Sequence, residues 1–369
     1  MEISVFFYAL AGFAIINIAF NLFLSKVGFS IEPQPQGNLK EAISVIVCSK
    51  NEQENLKILV PKLLEQDHPN FEIILINDAS HDDTIDVIEE FMAMDHRIKM
   101  VDVVSNESFW GNKKYALTLG IKKAVNDHLI FIDADCTPNS TAWLTIISKH
   151  LSKEKTIVLG YSGYKKVDDS LLNKLIRYET VLTAIQYFSY AMNGNPYMGV
   201  GRNLAYTATQ FYEVNGFMNH MRVLGGDDDL FVNQAATSQN TTVSLNQDSF
   251  TSSQPKTDWS SWWKQKKRHI NTAKHYKSSH KFLLALFYIS QIGFIISAIL
   301  GLLFGINWII ILAVILVRYV VFWVVLSKGF SRFRESDIII ILPFLELILI
   351  GIQLALFISN MVHRPKQWN

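Results

Sequence analysis

The chain has 369 residues with 34 Lys+Arg against 33 Asp+Glu, a net charge of +1, so no charge excess points to nucleic acid or another strongly charged partner. Hydrophobic residues make up 49% while charged residues reach only 18%, below the roughly 25% usual in soluble domains, so the apolar excess must be concentrated in segments. This composition excludes disorder, collagen and coiled coil, and two cysteines, Cys48 and Cys136, exclude a disulfide framework and fit a reducing compartment.

Residues 5–24 (VFFYALAGFAIINIAFNLFL) are uncharged over about the length needed to cross a bilayer. Glu2 is the only early charge, where a cleaved signal peptide has a basic start, so the segment reads as a retained anchor. Residues 42–48 (AISVIVC) form an apolar, β-branched run ending at Ser49-Lys50-Asn51-Glu52, the pattern of a buried parallel strand. A helical pattern over 56–64 precedes a second strand at 71–76, which runs into Asn77-Asp78-Ala79-Ser80-His81-Asp82-Asp83-Thr84. Helix 85–94, strand 98–104, helix 113–125 and strand 129–132 continue the alternation. Such alternation predicts an α/β domain with a mostly parallel, Rossmann-like sheet covered by helices on both faces. Ligands of such sheets bind outside the carboxyl ends of the strands, and three of the four strand ends here carry acids. Neither G-x-G-x-x-G nor G-x-x-x-x-G-K-[ST] occurs at the strand ends, which argues against dinucleotide and P-loop binding.

Asp133-Ala134-Asp135 puts two hard oxygen ligands at the end of the fourth strand, a pattern suited to Mg²⁺ or Mn²⁺ shared with substrate phosphates. Asp78 can accept hydrogen bonds from a nucleobase or ribose, or serve an Asx turn, while Ser80 or Asp82 can cap the helix that follows. Lys113 and Lys114 stand at a helix start that suits a diphosphate or, equally, open solvent. Gly225-Gly226-Asp227-Asp228-Asp229-Leu230 crowds three carboxylates, which raises at least one pKa and provides a general base; acids also favour a helix N-terminus. His68, His150 and His220 are isolated and lack metal-ligand spacing, and Asn240-Thr241-Thr242 matches a glycan acceptor pattern that carries no meaning in the cytosol.

Trp259, Trp262 and Trp263, backed by Gln265, Lys266, Lys267 and Arg268, form one stripe at helical spacing, the pattern of a helix lying in the bilayer interface or packing into the core. Three further apolar runs follow at 282–304, 308–326 and 338–361. Arg318 and Glu346 fall within them and are expected to neutralise one another between packed helices. The approach to the second run (Lys264 to Lys281) and the link between the third and fourth (Lys328, Arg332, Arg334) are basic, while Gly305-Ile306-Asn307 has no charge. The positive-inside bias then places the large domain in the cytoplasm and Met1 outside, although four full spans leave His363, Arg364 and Lys366 outside.

Together these motifs resemble membrane-bound glycosyltransferases of family 2, inverting enzymes with a GT-A catalytic domain. Ser44-Val45-Ile46-Val47 with Asn51-Glu52 resembles the opening strand, and Asn77 to Thr84 resembles the nucleotide-binding "DDGSxDxT" segment with Asn in place of the first acid. Gly111, Lys113, Ala116, Leu117 and Gly120 resemble "GKxxALNxG", and Asp133-Ala134-Asp135 is similar to the metal-binding D-x-D. Gly201 to Tyr206 resembles "GxNxAY", Gly216-Phe217 its "GGF" sequel, and Gln265 to His269 the "Q/RxxRW" signature with His for Trp. Counting back from Leu230 in the family's Glu-Asp-x-x-Leu gives Asp227 as base, with Gly226 replacing Glu and Asp228 as rival.

The resemblance implies donor contacts from Ser49, Asn51, Glu52, Asp78, Lys113, Asp133, Asn203, Gln265 and Arg268, a divalent cation on Asp135 and Asp133, and catalysis by Asp227 or Asp228. It implies a nucleotide-sugar donor, a lipid-linked or glycan acceptor and an integral protein of a bacterial cell membrane, with no nucleic-acid partner. The expected organisation is an anchor (1–25), a GT-A domain (26–258), an interfacial segment (259–281) and a membrane region (282–362). A processive polysaccharide synthase of the same family and a non-catalytic nucleotide-binding scaffold are the alternatives.

Overall fold

The computed structural model describes residues 2–35, 37, 41–104 and 113–362, with side chains throughout that set except at 2–4, 268–270 and 360–362. Gly111 and the side chain of Arg268 thus lie outside the described residues, as do His363, Arg364 and Lys366.

The four apolar runs of the first half become β1 (Ile43–Ser49), β2 (Phe71–Asp78), β3 (Ile98–Val103) and β4 (His128–Phe131). β1 pairs in parallel with β2 and β4, and β2 with β3. Six shorter strands follow: β5 (Cys136–Pro138), β6 (Ile157–Leu159), β7 (Ser162–Tyr164), β8 (Leu204–Thr207), β9 (Thr241–Val243) and β10 (Thr251–Ser253). The main sheet runs β3-β2-β1-β4-β8-β6-β9, and β5-β10-β7 form a second small sheet. β8 is antiparallel to both β4 and β6, so the sheet is mixed, though mostly parallel. None of β5 to β10 carries an apolar run long enough to be read as a strand from sequence.

Strand residues alternate between two cores, as the period of two demands. Val45, Val47, Ile73 and Leu75 pack with Leu56, Leu59 and Leu63 of helix Gln53–Leu64. Ile46, Ile74 and Ile76 face the other way, onto Ala116, Leu117 and Ile121 of helix Lys113–Lys123. That second core does not stop at the main sheet. It continues through Leu175 and Leu182 of helix Leu171–Met192 to Phe322, Leu326, Phe330, Leu342 and Leu345.

Four helices are long and apolar enough to cross a membrane: Val5–Phe29, Ser278–Leu303, Trp308–Arg332 and Ser336–Ser359. The first extends beyond the expected 5–24 through a short turn, Lys26–Phe29. One polar knot joins all four. Arg318 Nη1 and Nη2 donate to both oxygens of Glu346 at 2.6 and 2.5 Å, and Nη2 also donates to Asn17 Oδ1 at 3.0 Å. Gln291 Nε2 donates to Glu346 Oε1 at 3.4 Å. The expected neutralisation is therefore present, and it includes two amides that the apolar runs concealed. At the far end from the sheet, Phe6 stacks on Phe304 with ring centroids 4.7 Å apart.

Helix Leu171–Met192 joins the sheet to these spans. Ser189 Oγ donates to Leu24 O at 2.9 Å, and Lys26 Nζ to Met192 O at 3.0 Å. Arg177, only 2% exposed, holds Glu335 (Nε to Oε2, 2.7 Å) and Asp337 (Nη2 to Oδ1, 2.6 Å) in the link between the last two helices. This link therefore sits on the sheet's side, whereas Phe304 before the uncharged link sits near the chain's start. Removing one partner of a buried pair strands the other, at a cost of about 3–5 kcal/mol. Arg177→Ala should accordingly lower the thermal unfolding midpoint of the detergent-solubilised protein by several degrees; an unchanged midpoint would show that the joint adds no stability.

Candidate active site

The loop after β1 and the loop after β2 are knitted together. Asn51 adopts a left-handed φ of 56° and accepts from His81 N–H at 2.8 Å, while its own N–H donates to Ser80 Oγ at 3.0 Å. Glu52 N–H donates to Thr84 Oγ1 at 2.9 Å, and Asp82 Oδ1 accepts from Thr84 N–H at 3.1 Å at the start of helix Thr84–Met94. Asn77, which replaces the family's first acid, binds Asp102 Oδ1 through Nδ2 at 2.8 Å. Asp78 stays out of this lattice; among the described residues its carboxylate accepts no hydrogen bond. Burial raises its pKa, with Lys50 and Lys113 opposing.

A cleft opens where β1 and β4 end and β8 begins, lined by Cys48, Lys113, Asp133, Gly201, Asp227 and Asp228. Lys113 Nζ sits 2.6 Å from Asp133 Oδ1 and 3.2 Å from Asp227 Oδ2, so one ammonium bridges the strand-end acid and the acidic triplet. Burial opposes that charge, but Asp133 and Asp227 outweigh it and hold Lys113 well above the usual lysine range. Asp135 stands exposed at the mouth; desolvation at the sheet edge and the adjacent Asp133 raise its pKa, with Arg202 opposing. Glu52 joins the same field, raised by burial and by Asp135 and Asp133.

The triplet divides its labour. Gly226 has φ +80°, and a Cβ there would come 2.5 Å from Leu230 Cδ1, so this turn takes glycine where the family pattern has an acid. Asp228 Oδ2 accepts from Gly201 N–H at 2.8 Å, tying the turn to β8. Asp229, buried at the start of helix Asp229–Ala235, turns away from the cleft: its Oδ2 accepts from Thr272 Oγ1 at 2.5 Å and Tyr276 Oη at 2.7 Å. It thereby ties the triplet to the segment leading into helix Ser278–Leu303.

Two expected donor contacts have other duties. Ser49 is buried and its Oγ donates to Ile76 O at 2.7 Å, stitching β1 to β2. Asn203 is fully buried: Nδ2 donates to Tyr161 O and Ser249 O, both at 2.8 Å, and Oδ1 accepts from Trp143 Nε1 at 3.1 Å. Its amide braces β8 from behind and has no capacity left for a sugar. Gln265 in helix Trp259–Ala273 reaches the site indirectly, its Nε2 donating to Tyr164 Oη at 3.4 Å. In the same helix Trp262 is buried in the core while Trp259 is 49% exposed, so the stripe divides between packing and surface. Lys114 is also buried, donating to His220 O and Val223 O at 2.6 and 2.7 Å, which places it beneath the triplet's loop instead of at a phosphate.

Among the described residues no three His, Cys, Asp or Glu side chains converge to hold a metal alone. Two carboxylates with one oxygen pair exposed still fit a small hard cation, because Mg²⁺ and Mn²⁺ are commonly completed by substrate phosphates. The second-half contributors, Arg202 and Asp229, gave no periodic signal; only their position inside short polar motifs marks them.

A sequence model of glycosyl transferase family 2 matches residues 44–221. The chain is 32% identical over 126 residues to a 4,4'-diaponeurosporenoate glycosyltransferase of Staphylococcus haemolyticus, covering 34% of this chain and 32% of that protein. It is 30% identical over 148 residues to a poly-beta-1,6-N-acetyl-D-glucosamine synthase of Staphylococcus epidermidis, covering 40% and 35%. The chain thus spans about a third of the length of these relatives. Its fold resembles a mannosyltransferase from Pyrobaculum calidifontis in complex with GDP-Man and Mn²⁺, with a TM-score of 0.61 at 13% identity over 94% of this chain and 99% of that one.

Asp228 carries a testable pH signature. Burial, then Asp227 and Asp229, push its pKa from 3.8 up to about 7. An acid whose folded pKa exceeds its unfolded value binds its proton more tightly when native, so stability falls as pH rises between the two values. The wild-type unfolding midpoint should therefore drop from about pH 5 to pH 8, and Asp228→Asn should flatten that drop; an unaltered profile would assign it to other groups.

Proposed function

We propose that the chain, whose residues 44–221 form a glycosyl transferase family 2 domain, is an inverting glycosyltransferase acting on a nucleotide-sugar donor. The observation that carries this reading is the pairing of Asp133 and Asp227 across one cleft by Lys113. It sets the side that receives a diphosphate opposite the side that receives a hydroxyl. In this reading the nucleotide lies over the ends of β1 and β2 with Asp78 toward the base or ribose. Asp227 takes the acceptor hydroxyl proton as that oxygen forms its bond to the anomeric carbon. The bond from that carbon to the diphosphate breaks on the opposite face, which inverts the centre. Asp228, held by Gly201, fixes the turn and is the rival base. Asp135 and Asp133 would hold a Mg²⁺ or Mn²⁺ ion, which would supply positive charge to the departing diphosphate. Gln265, with Arg268 of the same helix, closes the site over the nucleotide.

The acceptor is read as membrane-associated, on the cytoplasmic face. Exposed Trp259, Lys264, Lys274, Lys277 and Lys281 line the approach to the second span, a composition suited to an anionic interface. The basic link between the last two helices lies on the same side, supporting an orientation with the domain in the cytoplasm.

Purified protein given a panel of labelled nucleotide sugars, Mn²⁺ and a membrane lipid extract should release nucleoside diphosphate and form a short, organic-extractable product. Long water-soluble chains made without lipid would favour the processive alternative. Asp227→Asn should lower transfer about 10²–10⁴-fold, the usual worth of a general base, while donor binding survives. If Asp228→Asn is the inactive variant and Asp227→Asn turns over normally, the base assignment moves by one residue. Asp135→Ala should abolish turnover in a folded protein, and full activity of that variant in EDTA would refute the metal assignment.

A further inference from the structure

Most buried cations described above have a carboxylate to answer them: Lys113 has Asp133 and Asp227, Arg177 has Glu335 and Asp337, Arg318 has Glu346. Arg202 is different. It is half-buried in the turn Gly201–Asn203 that leads into β8, and among the described residues no carboxylate lies within ion-pair distance of its guanidinium. Its placement is nonetheless tightly determined. On one side Gly201 is bonded to Asp228; on the other, Asn203 is bolted to Trp143, Tyr161 and Ser249. The antiparallel ladder of β4 and β8 ends at Phe131 opposite Leu204, so the segments carrying Asp133 and Arg202 leave the sheet at the same edge. The guanidinium stacks over the Tyr164 ring, 4.6 Å from its centroid, and Nη1 donates to Ser253 Oγ at 3.2 Å. Tyr164 in turn accepts the Gln265 amide, so Arg202 stands between the strand-end acids and the helix that closes the site.

A guanidinium offers five N–H donors in a planar fork, and Ser253 is the one side-chain acceptor it meets among the described residues. Its charge acts on Asp135 without contact, opposing the rise that burial and Asp133 impose on that carboxyl's pKa. A rigidly held fork that lies in the field of two carboxylates but bonds neither is complementary to an oxyanion that arrives with its own cation, and phosphate oxygens match that fork two at a time. We infer that Arg202 is a donor-binding residue that grips the distal phosphate of the nucleoside diphosphate, the group that leaves. The inference rests on the transferase reading of this cleft and adds to it the residue that receives the developing charge. The competing role, a fixed cation that merely balances Asp133 and Asp135, predicts a different signature.

The test is calorimetric binding of UDP, GDP, UMP and GMP to the full-length, detergent-solubilised protein in Mn²⁺. Arg202→Ala should weaken the preferred nucleoside diphosphate about 10- to 100-fold, as loss of a charged hydrogen-bond pair does, and leave the matching monophosphate within about twofold. Equal losses for both nucleotides, or none, would overturn the assignment; equal losses are what charge balance predicts. If Arg202→Ala does not fold, Arg202→Lys decides: a selective loss of diphosphate supports the fork, and an unselective or absent loss overturns it. Wild-type protein that binds neither diphosphate would bring down the donor reading itself, and Arg202 with it.

Discussion

The cleft depends on a balance of like charges. Asp133 comes from the end of β4 and Asp227 from a glycine turn almost a hundred residues later, and each would repel the other without a cation between them. Lys113 supplies that cation from the first residue of its helix, within ion-pair distance of both. Desolvation disfavours the Lys113 charge and the two carboxylates outweigh it, so geometry follows from charge. Helix Lys113–Lys123 is in turn pressed onto Ile76 through Gly120, where a Cβ would run into the Ile76 side chain. Sheet, helix and acidic turn are thus registered on one ammonium, and the polar lattice of Asn51, Ser80 and Thr84 keeps the neighbouring strand ends in step.

What could be read from sequence was what had length or charge. β1, β2, β3 and β4 are apolar runs bounded by polar loops, and the spans exceed any globular helix in hydropathy. The Arg318–Glu346 pair was legible because charges in such runs need partners, but Asn17 and Gln291 carry no charge and gave no warning. The short strands β5 to β10 were not legible: three or four residues cannot show a period, and tertiary pairing alone makes them strands. Motif residues are legible in sequence, but burial adds structural duties to some of them. Ser49 and Asn203 sit within family patterns because the backbone needs them, and burial, which sequence does not display, spends their polar atoms on β2 and on β8's surroundings. The stripe of Trp259 and Trp262 looked uniform in sequence, yet only one of the two faces outward. Asp229 is the clearest omission, since its partners Thr272 and Tyr276 lie more than forty residues away.

Those long-range ties make the catalytic sheet and the membrane helices one mechanical object. The core under β1 and β2 runs without a break into Phe322, Leu326 and Leu342, and Asp229 links the acidic turn to the start of the second span. The turn carrying Asp227 and Asp228 is therefore joined to the approach to that span by two buried hydrogen bonds.

The Arg177 joint also sets an order of events during synthesis. Chains emerge from the amino end, and domains that can fold early generally do so. Arg177 lies in the helix that must pack on the sheet, but its acceptors Glu335 and Asp337 follow it by about 160 residues, beyond two of the spans. Until they arrive, packing that helix means burying an unanswered guanidinium, which is strongly disfavoured. The joint is thus completed only when the last hairpin is in place, and until then that helix lacks the two carboxylates that answer its buried guanidinium.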